Sequence, residues 1–313
     1  MAQKKNIKTK QKKPRVIKQG EYKSFRLSKR IKPVAVKPLP SIYKICKLAL
    51  VPIKNNRRLF IGIILLQFVF TVILVSGFGA LFDFLNLKNN LEQTFGGNLS
   101  NAGTAVTLFS YAISTGGGAD ALSANYQLMI TLLVSLALIW SIRQVMAGEK
   151  VGVRQAFYRG MYPLIPFVTV LFVIVLQLIP LMIGNFLLSI VINNGLAITF
   201  LEKSLWWLIF ILLALLSFYM ILSSIFGLYI SALPDMTPMK ALRSARGLVL
   251  HRRLSVAIRM AALPIVVGII YAIVLIPLIL ILPVLVIPVF FLLNGFSLYF
   301  VHSYLYNLYR ALL

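Results

Sequence analysis

Seven carboxylates and two imidazoles make up the acid–base inventory of this 313-residue chain: Glu21, Asp83, Glu92, Asp120, Glu149, Glu202, Asp235, His251 and His302. Phosphoryl or acyl chemistry at a membrane draws on clustered carboxylates, histidines or metal ligands. No two of these residues stand at the spacing of an H-E-x-x-H helix, and no Gly-rich phosphate loop follows a strand. Three acids do share one segment: Asp83, Glu92 and Asp120. A lipid-modifying enzyme working through them is the form catalysis would take. The single cysteine, Cys46, excludes an intramolecular disulfide framework and a cysteine-based zinc site. The residues therefore point to no catalytic set, no metal and no cofactor.

The elements that would have to position any site are apolar. Hydrophobic residues make up 59% of the chain and charged residues 12%, with a mean hydropathy of +0.89. The charged share is about half that of a soluble domain, too little polar surface to cover a single core. A helix needs ~20 mostly apolar residues to cross the hydrocarbon layer. Six segments meet that length approximately: 59–82, 126–142, 161–183, 205–231, 261–281 and 284–306. The expected fold is an all-α, polytopic helical membrane protein. Prolines 163, 166, 180, 264, 277, 283 and 288 are expected to kink or end spans. The Pro283 region leaves spans five and six as either a tight hairpin or one broken element.

Charge sets the orientation. Lys and Arg number 32 against seven acids, and 19 of them lie in residues 1–58. The 143–160 loop holds four, the 232–259 loop six, and Arg310 one, whereas the opposite side holds only Lys88 and Lys203. From this positive-inside asymmetry both termini are expected on the cytoplasmic side of an inner membrane. Trp206 and Trp207 mark an outer span end, and Trp140, Tyr158, Tyr162, Tyr229, Tyr304, Tyr306 and Tyr309 inner ends.

Residues 1–40 carry clustered Lys and Arg with Pro14, Pro33, Pro38 and Pro40, a composition that reads as disordered. Anionic lipid head groups are the expected partner of such a tail. Nucleic acid or the ribosome is the less favoured one, since no aromatic interleaving or RNA-binding signature accompanies the charge. Residues 41–51 read instead as a short interfacial helix. Ser41 is its N-cap, and Ile42, Ile45, Cys46 and Ala49 share its apolar face.

The 232–259 loop holds a second amphipathic pattern. Pro238 follows Thr237, and Met239, Leu242, Ala245 and Val249 recur at helical spacing. Lys240, Arg243 and Arg246 form the basic stripe, with Arg252 and Arg253 beyond it. These five residues are the candidate contact for anionic lipid or a partner protein. A weaker copy, VRQAFYRG at 153–160, parallels MKALRSARG at 239–247, both closing on Arg-Gly. This suggests a duplicated unit of span, inner helix and span.

No span carries an internal Asp, Glu, Lys or Arg, which ion-coupled transport would usually require. The polar groups left inside are Gln67, Gln177 and Asn294, the last followed by Gly295. Asn294-Gly295 is the candidate helix break or interhelical hydrogen bond, and polar glue between helices is the plainer role. Outside, the 83–125 loop contains an 11-residue apolar run, 105–115, too short to span and ended by Gly116-Gly117-Gly118. It reads as a surface-lying helix.

Two segments carry a resemblance. ALVPIKNNRRLFIGIILL (49–66) resembles the basic–Asn–basic opening of bacterial integral-membrane families related to the membrane domain of glycerophosphoryl diester phosphodiesterase. LPDMTPMKALRSARGLVLHRRLSVAIRM (233–260) is similar to their inner helix. The resemblance implies a helical membrane domain over 49–313. No phosphodiesterase sequence occurs within these residues, so it carries over no active site. The favoured function is a non-enzymatic membrane-organising or partner- and lipid-binding protein. The alternative is the permease subunit of a transporter, with the 232–259 helix docking an ATPase. The lipid-modifying enzyme comes third.

Overall fold

The computed structural model describes residues 39–76, 121–233, 236–250, 252–281 and 285–313. The basic tail to Pro38, the outer segment with Asp83, Glu92 and Asp120, and the positions Asp235, His251 and Pro283 lie outside the described residues. All regular structure described is helical, and six helices are long and apolar enough to cross a membrane. The chain is an all-α, polytopic membrane protein.

The order is α1 (Ile42–Ala49), α2 (Val51–Asn55), α3 (Arg57–Thr71), α4 (Ala121–Met146), α5 (Val153–Gly160) and α6 (Leu164–Gln177). Then follow α7 (Ile179–Asn193), α8 (Phe200–Ser231), α9 (Pro238–Val249), α10 (Arg253–Ile281) and α11 (Val286–Leu312). A π-helical turn, Val72–Ser76, extends α3. The candidate spans are Arg57–Val75, Asn125–Met146, Leu164–Asn193, Phe200–Ser231, Arg253–Leu275 and Pro288–Leu312.

Several span boundaries differ from the sequence reading, the sixth running on to Leu312 rather than ending at 306, and at the third and fourth the local reason is visible. The third span continues to Asn193 rather than ending at 183, and it is interrupted at Leu178. Pro180 has no N–H to donate and its ring crowds the preceding turn, so the helix restarts with proline in its first turn. The next N–H, of Leu181, is satisfied from the neighbouring helix by Ser217 Oγ at 3.0 Å. The fourth span begins five residues early because Thr199 and Glu202 form a capping box. The fifth begins at Arg253, before the apolar run proper. It and the sixth are separate helices running antiparallel, with Tyr271 facing Ser297 and Tyr304 bonded to the Arg259 carbonyl.

Burial is concentrated at one end of the bundle. There α1, α5 and α9 meet the adjoining parts of α3, α4, α8 and α11, and the buried side chains include Ile45, Phe60, Ile63, Ile139, Phe226, Tyr299 and Tyr304. By contrast α7 and the first half of α8 expose Phe186, Leu201, Leu208 and Leu212, as a lipid-facing hairpin should. α10 also leaves most of its length exposed, including Ile265, Ile269 and Ile273.

The short helices are seated by small residues. Ala156 and Gly160 are the buried positions of α5. A methyl group built on Gly160 would sit 3.0 Å from the Ala137 Cα of α4, so only glycine permits that approach. In α9 the buried positions are Ala241, Ala245 and Val249, packed against α8 and α6. The expected apolar face is therefore rotated: Met239 is 68% exposed, and Ala241 takes the inward place. The Arg-Gly match between the two loops is not a structural equivalence either, because a methyl group on Gly247 would meet nothing within 4 Å. Burial aligns Ala156 and Gly160 with Ala241 and Ala245 instead.

Candidate functional site

The end of the bundle that holds the short helices also collects the described basic residues apart from Lys203, which lies in the first turn of α8. α1 forms where expected, with Lys44 N–H donating to the Ser41 side chain at 3.4 Å. Its apolar face, however, turns to protein rather than to the interface: Ile45 and Ala49 are fully buried, and α1 packs on α11. Two hydroxyls of α11 hold its end. Tyr299 and Ser303 both donate to the Ala49 carbonyl, at 2.8 and 2.7 Å, and the Tyr299 oxygen accepts from Ile53 N–H at 3.0 Å. Upstream, Arg259 of α10 donates to the Leu39 and Pro40 carbonyls at 3.0 and 2.9 Å, and to Ser255 at 2.7 Å. A planar fork of five donors suits several carbonyls at once. Burial pushes the Cys46 thiol above its ordinary range, as befits a small apolar residue of this packing rather than a nucleophile.

Beside this anchor lies a buried aromatic cluster. The Tyr229 hydroxyl is 3.1 Å from His302 Nδ1, and the Tyr306 and Tyr309 rings lie 6.2 and 6.4 Å from Tyr229. Arg143 closes it by donating to the Ala232 carbonyl at 3.4 Å. His302 Nε2 is buried with no partner among the described residues.

The five basic candidates divide in two. Lys240, Arg243 and Arg246 are exposed on the outer side of α9, away from its alanine seam. Arg252 and Arg253 are half-buried at the α9–α10 junction. The Arg253 guanidinium carbon lies 4.5 Å from the centre of the Tyr219 ring of α8, and its Nε is buried without a partner among the described residues.

The intramembrane candidates are partly brought together. Gly295 lies against α3, where a methyl group would fall 3.0 Å from Ile64 Cγ2 and 3.4 Å from Gln67 Oε1. That oxygen is itself buried without a partner among the described residues, as is Gln177 Oε1 on α6. Asn294 breaks nothing: α11 runs through it, and its carbonyl accepts from Ser297 at 2.9 Å. Of the acids, Glu202 is committed to its cap, accepting from Ile198 and Thr199 N–H at 2.8 and 3.2 Å. Among the described residues, no three His, Cys, Asp or Glu side chains lie close enough to hold a metal ion.

The residues that organise this end carry no site motif in the sequence. Tyr299, Ser303 and Asn307 do recur every four residues, a polar stripe on an apolar span that marks a protein-facing side. The partners Ala49 and Tyr219 carried no such signal. Comparison with family models, curated proteins and solved structures gives no match, so the functional argument rests on this geometry.

Proposed function

We propose that this chain is a non-enzymatic component of a bacterial inner membrane, with both termini cytoplasmic, that presents a preformed basic face to anionic lipid head groups. One observation carries the reading. α9 is seated on α8 by Ala241, Ala245 and Val249, so Lys240, Arg243 and Arg246 project from a rigid base. Basic residues near an anionic leaflet contribute about 1 kcal/mol each, and carrying them on one seated helix lowers the ordering cost of contact. The charge asymmetry around the spans supports the same orientation. The resemblance of residues 49–66 and 233–260 to membrane-domain families fits a lipid-embedded role without adding a catalytic one.

The same helix supports a second reading, a permease subunit whose α9 docks an ATPase from the cytoplasm. A rigid short helix projecting from a long span is what such docking needs. Crosslinking and affinity purification from native membranes, followed by mass spectrometry of proteins and lipids, separates the two. Enrichment of anionic lipid with no stoichiometric protein supports the first reading. An ATPase crosslinked at Lys240 replaces it with the second. Loss of function in Asp83→Ala, Glu92→Ala or Asp120→Ala at normal expression would instead favour the lipid-modifying enzyme.

A further inference from the structure

We infer that Arg253 and Tyr219 form a discrete site for the phosphodiester of an anionic phospholipid, distinct from the diffuse charge of α9. The inference rests on the orientation proposed above and names the atoms that would hold one lipid. The Arg253 guanidinium lies 4.5 Å from the Tyr219 ring centre. Stacking uses the face of the guanidinium plane and leaves its donors, which lie along the edge, free to act. Among the described residues no acceptor meets these donors: Nε is buried without a partner, and neither of the described carboxylates is bonded to the guanidinium. Glu202, one of the two in the described regions, is committed to its helix cap. A buried donor with no acceptor among the described residues is costly unless a group beyond them supplies one.

The surroundings select the ligand. Leu215, Leu216 and Met220 flank Tyr219 on α8, Leu254 follows Arg253 on α10, and all four are exposed. This apolar rim suits acyl chains and is a poor setting for a free anion or a nucleic acid backbone. Arg253 opens the fifth span and reaches the Tyr219 ring within the fourth, so the guanidinium sits between a span end and apolar surface. A phosphate monoanion accepts two N–H bonds from the paired Nη groups of an arginine, a geometry lysine cannot provide. Arg252 adds charge beside the site.

The test uses the full chain in detergent and in nanodiscs, with native mass spectrometry reading occupancy of phosphatidylglycerol against phosphatidylcholine. Arg253→Gln should lower phosphatidylglycerol occupancy about tenfold, the loss expected for a charge-assisted pair. Tyr219→Leu should lower it severalfold, and Tyr219→Phe, which keeps the ring, should not change it. Arg253→Lys should recover little of the loss. The triple variant Lys240→Gln/Arg243→Gln/Arg246→Gln should cost less than about twofold, as exposed charges do. If the triple variant matches or exceeds Arg253→Gln, binding is diffuse and the discrete site is wrong while the lipid-binding reading stands. If millimolar inorganic phosphate displaces the lipid, the site is one for free anions and the inference fails. If the unaltered protein shows no preference for phosphatidylglycerol, the site and the broader reading fall together. Should Arg253→Gln not remain monodisperse, Tyr219→Leu against Tyr219→Phe decides the matter.

Discussion

The Tyr299 hydroxyl donates to the Ala49 carbonyl at 2.8 Å, joining the last span to the short helix that precedes the first across 250 residues. Ser303 donates to the same carbonyl, and the Tyr299 oxygen accepts from Ile53 N–H. One buried tyrosine thus satisfies both the end of α1 and the start of α2, where backbone groups would otherwise be unpaired. The basic end of the bundle depends on this junction.

Removing the Tyr299 hydroxyl should therefore destabilise the fold. Tyr299→Phe leaves the Ile53 N–H without its acceptor, at a cost of about 1–3 kcal/mol. Ser303→Ala alone should cost less, because Tyr299 still serves the Ala49 carbonyl. The double variant should lose more than the two singles together, since only then is that carbonyl orphaned. Thermal denaturation in detergent reads all three, and strict additivity would argue against the shared acceptor.

The two Arg-Gly sequences give opposite predictions. Gly160→Ala pushes a methyl group onto the α4 backbone and should cost about 1–3 kcal/mol. Gly247→Ala meets open space on a helix and should be neutral or stabilising by up to about 1 kcal/mol. Equal effects of the two substitutions on the melting temperature would contradict the seating of α5 against α4.

Gln67 and Gly295 should likewise respond in opposite senses. Gly295→Ala drives its methyl group towards Ile64 and should destabilise by about 1–3 kcal/mol. Gln67→Leu removes a buried oxygen that has no partner among the described residues, so it should be neutral or mildly stabilising. A strong loss of stability in Gln67→Leu would show that the amide is paired after all.

Cys46 should be slow to react. Only the thiolate attacks a maleimide, and burial holds the Cys46 thiol above its ordinary range, so less thiolate is present at any neutral pH than in a free cysteine. Labelling at pH 7 should be markedly slower in the folded protein than after denaturation. It should rise with pH through the alkaline range. Equal rates in the two states would mean that α1 is not docked on α11.

Much of this fold is legible in sequence because a bilayer imposes length and apolarity on each span. The two helices at 42–49 and 238–249 were readable from Ser41, Pro238 and their 3.6-residue patterns. Their inward faces were not. Met239 and Ala241 compete for the same arc, and hydrophobicity favours methionine, whereas close helix contact favours alanine. The early start of α8 was present as Thr199-x-x-Glu202, a capping box whose charged residue read as a loop. The break at Leu178 was foreshadowed by Pro180, yet its stabilisation by Ser217 is a long-range pairing that no local pattern encodes. The basic candidates were visible as charges. What separates Arg253 from Lys240, Arg243 and Arg246 is a ring on another helix, and that is tertiary information.

Binding of anionic lipid by the basic end requires that end to face the cytoplasm. Cysteine labelling in a Cys46→Ala background tests this directly, with single exposed sites Tyr158→Cys on α5, Ser244→Cys on α9 and Asn194→Cys between α7 and α8. An impermeant maleimide applied to intact spheroplasts should label Asn194→Cys alone, and permeabilisation should expose the other two. Labelling of Tyr158→Cys and Ser244→Cys from outside, with Asn194→Cys protected, would contradict the account.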